Sequence, residues 1–582
     1  MKLLVSSLAA LTSAILFGQF SWAAENPAMI EVMHQDVWKR FVYKPQYLLL
    51  DYAGLDGAVI LPEPAECADN KPNALSWGTP IEDGPFFTGL YLDGMVRRWK
   101  RTKSEEDRQK AGHLAQGLLR CASVGKTPGF VARWVLDDQV SHYSVGSDDQ
   151  TGPWFYGLWK YVKSGAATPE EKKRIVGKMK EVAQALRARK WDLPSDPQGD
   201  FPPEETRGWA NWSPISYRSA TRLLFTMRIM QELTDDKSWG ELYSAALQET
   251  SKTGRTRLQV VEDGMAGEWR ELPQLSKTHL YICVVSQLMV KDLAEMETNP
   301  EIKASYLQSL AATAEAAWPT LPGERVASFT DYPFLLDWRT MNDMWRPQKN
   351  AQEAVKLAGQ QLHALGNRGK YLEIDHIREP ICAAWLSMLH PAGLHPRVQN
   401  LPKLIEQVSW KTVHSSFAFM AESAWYLLQE TPPVILSPSK TSSAAPAESR
   451  TSANVTSRKF DENAKRGTDL HRFIAVPPEL KNSTIYTVSR GSSKQPGRGF
   501  TVIAEKDSTA WLLVMRKGDY EPEPSWELTE LIIRWTSGTD TFSDRVFQRK
   551  VKAGEKIVVP EAPGMDDSGN YAIPHALVIE EK

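Results

Sequence analysis

The chain has 582 residues, with 69 Lys and Arg against 71 Asp and Glu and a formal net charge of −2. That length exceeds what one hydrophobic core usually holds, so two domains, one of them large, are expected. The balanced charge offers no basic field for a phosphate backbone and excludes nucleic acid as the main partner.

In chain order, residues 1–23 open on Lys2, run apolar from Leu3 to Phe20 and end in Ser21-Trp22-Ala23. This is the pattern of a secretory signal peptide cleaved near Ala23, which places the mature chain outside the cytoplasm, secreted or periplasmic. The alternative is an uncleaved anchor. No later segment has the apolar length of a membrane span. From about residue 30 to 430 the chain reads as helices in pairs, because apolar residues recur at intervals of three and four. The pairs are 86–99 with 111–119, 154–163 with 169–189, 214–233 with 238–250, 277–296 with 300–317, 334–345 with 351–365, and 379–389 with 401–408. A last helix covers 415–429. Ser104 is a predicted N-cap, as is Thr168 with Pro169 at the first helical position. About six hairpins in series, with polar loops before alternate helices, predict a mainly α fold, an (α/α)6 toroid over residues 24–430.

A Pro/Ser/Ala-rich linker follows at 431–458. Residues 459–582 show β-rich runs at 501–504, 510–515, 530–535, 556–559 and 576–579, broken by Gly, Asp and Pro and led into the last by Asn570-Tyr571-Ala572. They predict a small β-sandwich, either a sugar-binding module or a packing module. The 21 tryptophans are the compositional outlier. An indole suits both thick helical cores and stacking on sugar rings, and core filling accounts for most of them. The four cysteines, Cys67, Cys121, Cys283 and Cys382, are too widely separated for a compact metal site. Cys67 and Cys121 are candidates for a disulfide, while Cys283 and Cys382 read as buried thiols.

The chemistry concentrates in residues 79–160. Glu82-Asp83-Gly84-Pro85-Phe86-Phe87 and Asp148-Asp149-Gln150-Thr151-Gly152-Pro153-Trp154 are two acidic clusters, each running directly into an aromatic helix start. In a toroid the loops before inner helices converge on one rim, so Glu82, Asp83, Asp148 and Asp149 can supply the acid and the base or nucleophile of glycoside cleavage. The bland alternative is that Asp83 and Asp149 cap helices and complement their dipoles. Between the clusters, Arg133 can fork a carboxylate, His142 can act as acid or base, and Tyr143 adds a hydroxyl. Trp154 is a candidate sugar platform. Arg207-Gly208-Trp209-Ala210-Asn211-Trp212 before a helix holding Tyr217 forms a second constellation. There Asn211 can meet a uronate carboxylate and Tyr217 or His142 can move protons, as in an eliminative lyase; the alternative makes Asn211 or Ser213 a cap and both Trp209 and Trp212 core. Glu268 and Glu379 are fallback acids, and Asp375 with His376 reads as a local hydrogen-bond network. No zinc motif, phosphate loop, dinucleotide fingerprint or Gly-x-Ser-x-Gly elbow occurs, so no metal and no cofactor is expected.

The Pro80-Ile81-Glu82-Asp83-Gly84 and Thr88-Gly89-Leu90-Tyr91-Leu92-Asp93-Gly94 stretches, with Arg133, Ser147-Asp148-Asp149-Gln150 and Gly157-Leu158-Trp159-Lys160-Tyr161, resemble the six-hairpin glycosidase-like proteins. The resemblance implies the toroid fold and, by position, catalysis by paired acids at Asp83 and Asp149, as in its glycosidase and unsaturated glucuronyl hydrolase members. Three readings follow: a secreted glycoside hydrolase on an oligo- or polysaccharide, a lyase on a uronate-containing glycan, and a non-catalytic glycan-binding protein. The sugar and the oligomeric state are left open.

Overall fold

The computed structural model describes residues 28–271, 280–323, 333–432, 434–436, 455–462, 464–466, 471–481, 483–488, 499–515, 522–523, 525–537, 540–562 and 573–580. The signal peptide, most of the 431–458 linker, the start of the 277–296 helix and Asn570-Tyr571-Ala572 lie outside these. The chain divides into two compact units, residues 1–439 and 440–582.

The first unit is mainly helical. Two kinds of helix alternate, and burial tells them apart. Gly84–Thr102 is buried without interruption from Gly84 to Arg98, Asp148–Ser164 from Gln150 to Trp159, and Ala418–Glu430 from Ala418 to Leu428. A helix apolar on every side must be surrounded by others. Pro169–Ala188, in contrast, buries Ile175, Met179, Val182, Ala183 and Leu186, one stripe at helical spacing. The fully packed helices contact one another in chain order. Gly84–Thr102 packs on Asp148–Ser164, which meets Tyr217–Thr234; Leu280–Met296 follows, then Glu379–Ser387, then Ala418–Glu430, which packs back on Gly84–Thr102. Glu105–Cys121, Pro169–Ala188, Lys237–Gln248 and Pro300–Ala317 each return along the helix before them.

Local sequence sets these termini as expected. Thr168 and Glu171 form a reciprocal capping box over Pro169, and Ser104 accepts the Asp107 N–H. Two pairs differ from expectation. Leu401–Gln407 does not return along Glu379–Ser387 but packs on Ala28–Asp36 and Ala418–Glu430. Residues 334–345 hold a 3-10 turn, Trp338–Met344, in place of a helix. The turn is held by tertiary bonds instead: Trp338 Nε1 donates to Ile60 O (2.7 Å) and Arg339 forks Glu66. Ala418–Glu430 packs on the N-terminal helix Ala28–Asp36. They are tied by His34 Nδ1 against Glu422 Oε1 (3.0 Å), with Tyr91 OH donating to Glu422 Oε2 (2.9 Å). All four cysteines are buried and unpaired, so the Cys67–Cys121 bridge is not formed. Among the described residues no helix is long and apolar enough to cross a membrane.

The second unit is a seven-stranded antiparallel sheet in the spatial order Val455–Lys459, Ser483–Val488, Ala576–Glu580, Ser508–Met515, Asp540–Val551, Glu527–Ser537, His471–Ala475. Every β-run predicted from the sequence falls on a strand. Along Ser508–Met515, Trp511 and Leu513 enter one apolar layer and Ala510, Leu512 and Val514 the other. The sheet is thus buried on both faces at its centre. The two-stranded pair Phe500–Ile503 and Lys556–Val559 supplies part of the second layer. Arg466 and Asp544 form a fully buried ion pair, and Trp535 Nε1 donates to the same carboxylate (3.0 Å).

Candidate active site

Two glycines decide how closely the first two packed helices approach. A Cβ on Gly89 would stand 2.2 Å from Pro153 O, and one on Gly157 2.6 Å from Gly89 O. Only bare backbone fits there. This contact brings the starts of Gly84–Thr102 and Asp148–Ser164 side by side, and Gln150 joins them. Its Nε2 donates to Asp83 Oδ1 (3.0 Å) while its Oε1 accepts the Phe86 N–H (3.3 Å).

At this end of the unit Asp51, Glu82, Asp83, Asp149 and Glu268 line one cavity of about 430 Å³. Aromatic walls come from Trp77, Phe87, Trp209, Tyr281 and Phe417, and cations from Arg218, Lys370 and Arg378. Asp83 occupies the N-cap position of its helix, yet its side chain makes no capping bond. Asp149 lies in the first turn behind the N-cap residue Ser147, and its Oδ1 accepts from Arg222 Nη2 (3.1 Å). Neither acid is therefore consumed as a helix cap. Arg133, buried behind them, donates to Glu82 O (2.7 Å) and Ser147 Oγ (3.0 Å) and stands 3.6 Å from Asp83 Oδ1. Asp51 accepts the backbone N–H of Asp83 (2.8 Å) while its own carbonyl accepts from Ser416 (3.0 Å). Glu268 is paired with Arg218 (2.8 Å). Arg378 lies over the Tyr281 ring at 4.0 Å, and Lys370 over Tyr52 at 4.9 Å.

Crowding carboxylates in a half-closed space has an electrostatic result. Burial, then the neighbouring Glu82 and Asp149, pushes Asp83 up to about 7, against the opposing pull of Arg133 and the Gln150 amide. Burial and the Asp83 charge hold Asp51 well above the usual carboxylate range. Burial also raises Asp149, with Arg218 and Arg133 pulling the other way. Asp83 thus keeps a share of its proton near neutrality, and Asp51 and Asp149 are shifted in the same direction. Among the described residues no group of three or more His, Cys, Asp or Glu is disposed to hold a metal ion.

Of the residues singled out in the sequence, Asp83, Asp149, Glu82 and Glu268 meet in this cavity, with Arg133 behind them. The others do not line it. Asp148 is turned to the buried Arg222. His142 bonds Asp196 (3.0 Å), which also gathers the Lys126 and Thr127 N–H groups, so the histidine pins a loop. Tyr143 donates to Lys71 O (2.5 Å). Trp154 is core and donates to Leu118 O (2.7 Å). Asn211 donates to Asp192 (3.1 Å), Trp212 is fully buried, and the buried Tyr217 hydroxyl takes the Gln287 amide. Glu379 is buried against Arg378 and the Leu280 N–H. Sequence reasoning missed Asp51, Trp77, Arg218, Tyr281, Lys370, Arg378 and Phe417 as wall residues. The one signal for Asp51 is a carboxylate closing the apolar run Leu48-Leu49-Leu50.

No family model matches the chain, and no curated protein matches it. Solved structures that align with it include a β-glucuronidase from glycoside hydrolase family 2, at 18% identity over 22% of this chain and 14% of that one, with a TM-score of 0.19. Endoglucanase CelQ from Clostridium thermocellum complexed with cellotriose aligns at 11% identity over 95% of this chain and 92% of its own, with a TM-score of 0.29. A GH138 enzyme targeting pectin rhamnogalacturonan II aligns at 10% identity over 75% and 49%, with a TM-score of 0.17. At such TM-scores the alignments decide neither fold nor activity.

Proposed function

We propose that this protein is an exported glycoside hydrolase whose first unit is an (α/α)6 toroid with its active site at one rim. The observation that carries the reading is the cavity itself. Several carboxyl groups share about 430 Å³ with aromatic walls, and one of them, Asp83, is held near 7. Asp83 is the general acid, because a carboxyl group protonated near neutrality can give its proton to the glycosidic oxygen. Asp149 is the carboxylate that activates water or attacks the anomeric carbon: it lines the same cavity as Asp83, and Arg222 Nη2 holds its Oδ1 in place (3.1 Å). Asp51 fixes the Asp83 backbone, and the aromatic walls take the apolar faces of the sugar. The cyclic order of helix contacts supports the toroid, and the 1–23 segment supports export. The lyase reading has no comparable support, since Asn211, His142, Tyr143 and Tyr217 are all engaged away from the cavity.

The test is hydrolysis of a panel of soluble glycans followed by reducing-end release. Asp149→Asn should lower kcat by about 10²–10⁴-fold with an unchanged circular dichroism spectrum. A native protein that binds glycans but never cleaves them would make it a binding protein. A rise in ultraviolet absorbance on a uronate polymer would make it a lyase.

A further inference from the structure

Trp209 borders two spaces. It lines the acidic cavity, and it also lines an adjoining cavity of about 200 Å³ with Glu205, Arg207, Asn350 and Gln352. We infer that this second space is a further sugar subsite, divided from the catalytic one by the Trp209 indole, so that the substrate is a glycan of at least two sugar residues. The inference rests on the hydrolase reading for its chemistry.

Three observations carry it. First, the indole is 38% exposed at the edge of a cavity. A large aromatic side chain left in water beside a polar site is an unsatisfied contact surface, where a scattered exposed aliphatic would mean little. Second, the platform is rigid. Trp209 N–H donates to Gly146 O (2.9 Å), and Arg207–Asn211 pairs antiparallel with Asp192–Pro194. A Cβ on the preceding Gly208 would lie 2.6 Å from Gly146 O and 2.9 Å from the Leu193 and Pro194 carbonyls. The strand is seated on backbone with no space to shift, so the point from which the indole projects is fixed before a ligand arrives and only the side chain's own ordering cost remains. Third, the chemistry around the ring alternates in the way a pyranose does. An apolar face is offered by the indole. Around it stand Glu205, whose Oε1 accepts the Arg207 N–H; Arg207, paired with Asp192; Asn350, whose Oδ1 caps the following helix; and Gln352. Their remaining carboxylate, guanidinium and amide valences are acceptors and donors for hydroxyl groups. A space of this size holds about six or seven waters' volume, which suits one sugar ring and not a long chain.

The experiment measures kcat/KM on 1,4-linked gluco-, xylo-, manno- and galacturono-oligosaccharides of one to six units, the single unit as its aryl glycoside. The native protein should gain about tenfold between one and two or three units, the scale of one aromatic stacking contact. In Trp209→Ala the ratio of the longer to the shorter substrate should fall to about one. Trp209→Phe, which keeps a stacking face, should restore part of it. The same series is read as binding by calorimetry in Asp149→Asn. Cleavage by the native protein without any length preference, or a Trp209→Ala ratio equal to the native ratio, overturns the subsite and leaves the hydrolase reading standing. Length-dependent binding that Trp209→Ala abolishes, in a native protein that cleaves nothing, keeps the subsite and overturns the hydrolase. Absence of both binding and cleavage across the series overturns both.

Discussion

Replacing Asp83 by Asn separates the cost of the site from its use. A carboxyl group raised from 3.8 to about 7 is easier to protonate folded than unfolded, so it contributes stability that is fully present below about pH 4 and lost as pH rises through 7. At about 1.36 kcal/mol for each tenfold change in proton affinity, the full loss is about 4 kcal/mol. About 2 kcal/mol of it has already gone at pH 5. Asn at this position cannot ionise and its amide oxygen can still accept from Gln150 Nε2. The stability difference between Asp83→Asn and the native protein should therefore move in the variant's favour by about 2–3 kcal/mol between pH 5 and pH 8. Urea denaturation at the two pH values, followed by tryptophan fluorescence, measures it. Hydrolysis by the same variant should fall about 10²–10⁴-fold, and native kcat should decline above pH 7 as the acid loses its proton. A pH-independent stability difference would refute the raised proton affinity, and a variant with native turnover would refute the acid role.

Arg222→Met leaves Asp148 and Asp149 without their shared cation. It should cost about 3 kcal/mol at pH 8 and less at pH 5, because burial already raises Asp149 and loss of the cation favours its protonated form further, as urea midpoints at both pH values will show. Gly157→Ala places a methyl 2.6 Å from Gly89 O. It should cost about 1–3 kcal/mol by overpacking and, by separating the starts of the two acid-bearing helices, lower kcat by up to about 10²-fold; thermal unfolding and steady-state kinetics on one preparation test both. In the second unit, Arg466→Met strands the fully buried Asp544 and should cost about 3–5 kcal/mol. Adding Asp544→Asn should recover part of that loss when the full-length chain is unfolded in urea.

The helices were legible where one physical signal sufficed. Stripes at 3.6-residue spacing mark Glu105–Cys121 and Pro169–Ala188, and Thr168 with Pro169 fixes a start to the residue. The 334–345 segment carries apolar residues at helical spacing but is folded by bonds to Ile60 and Glu66, more than 270 residues away. No local pattern contains those. The same distinction runs through the site. Asp83 and Asp149 could be found because each sits where a helix begins, and helix starts are local. Asp51 reaches the cavity through an N–H 32 residues away, Tyr281 reads as helix interior, and Arg378 reads as the last residue of the segment before a helix. His142 and Tyr143 were drawn in by their proximity to the acids, while the partner that explains His142, Asp196, is 54 residues on. Trp209 and Trp212 stand in one sequence constellation, and nothing local tells them apart. The five residues of Arg207–Asn211 form a strand that leaves Trp209 outward, and Trp212 falls beyond it in the core.

What separates the candidate catalytic acids from other buried acids in this fold is the sign of their environment. Burial would raise Asp93 as well, but Arg97 and Lys160, with the Tyr156 hydroxyl, hold it at about 2. Asp196 is likewise held at about 2, burial being overcome by His142 and Thr127. Each of these carboxylates has partners enough to stay charged, and each fastens two segments together. In the cavity the balance is reversed. Asp51 and Asp83 have carboxylates as their largest charged influences, and the cations at hand, Lys370 for the first and Arg133 for the second, lower their proton affinity without restoring it. A chain selected for stability alone would space such groups apart or pair them, since their repulsion works against the folded state at neutral pH. Here the fold works the other way. It removes side chains at Gly89 and Gly157 to bring the acids together and fixes the Asp83 backbone with a further acid. That arrangement has a physical use where a proton must be held near pH 7 and then given up.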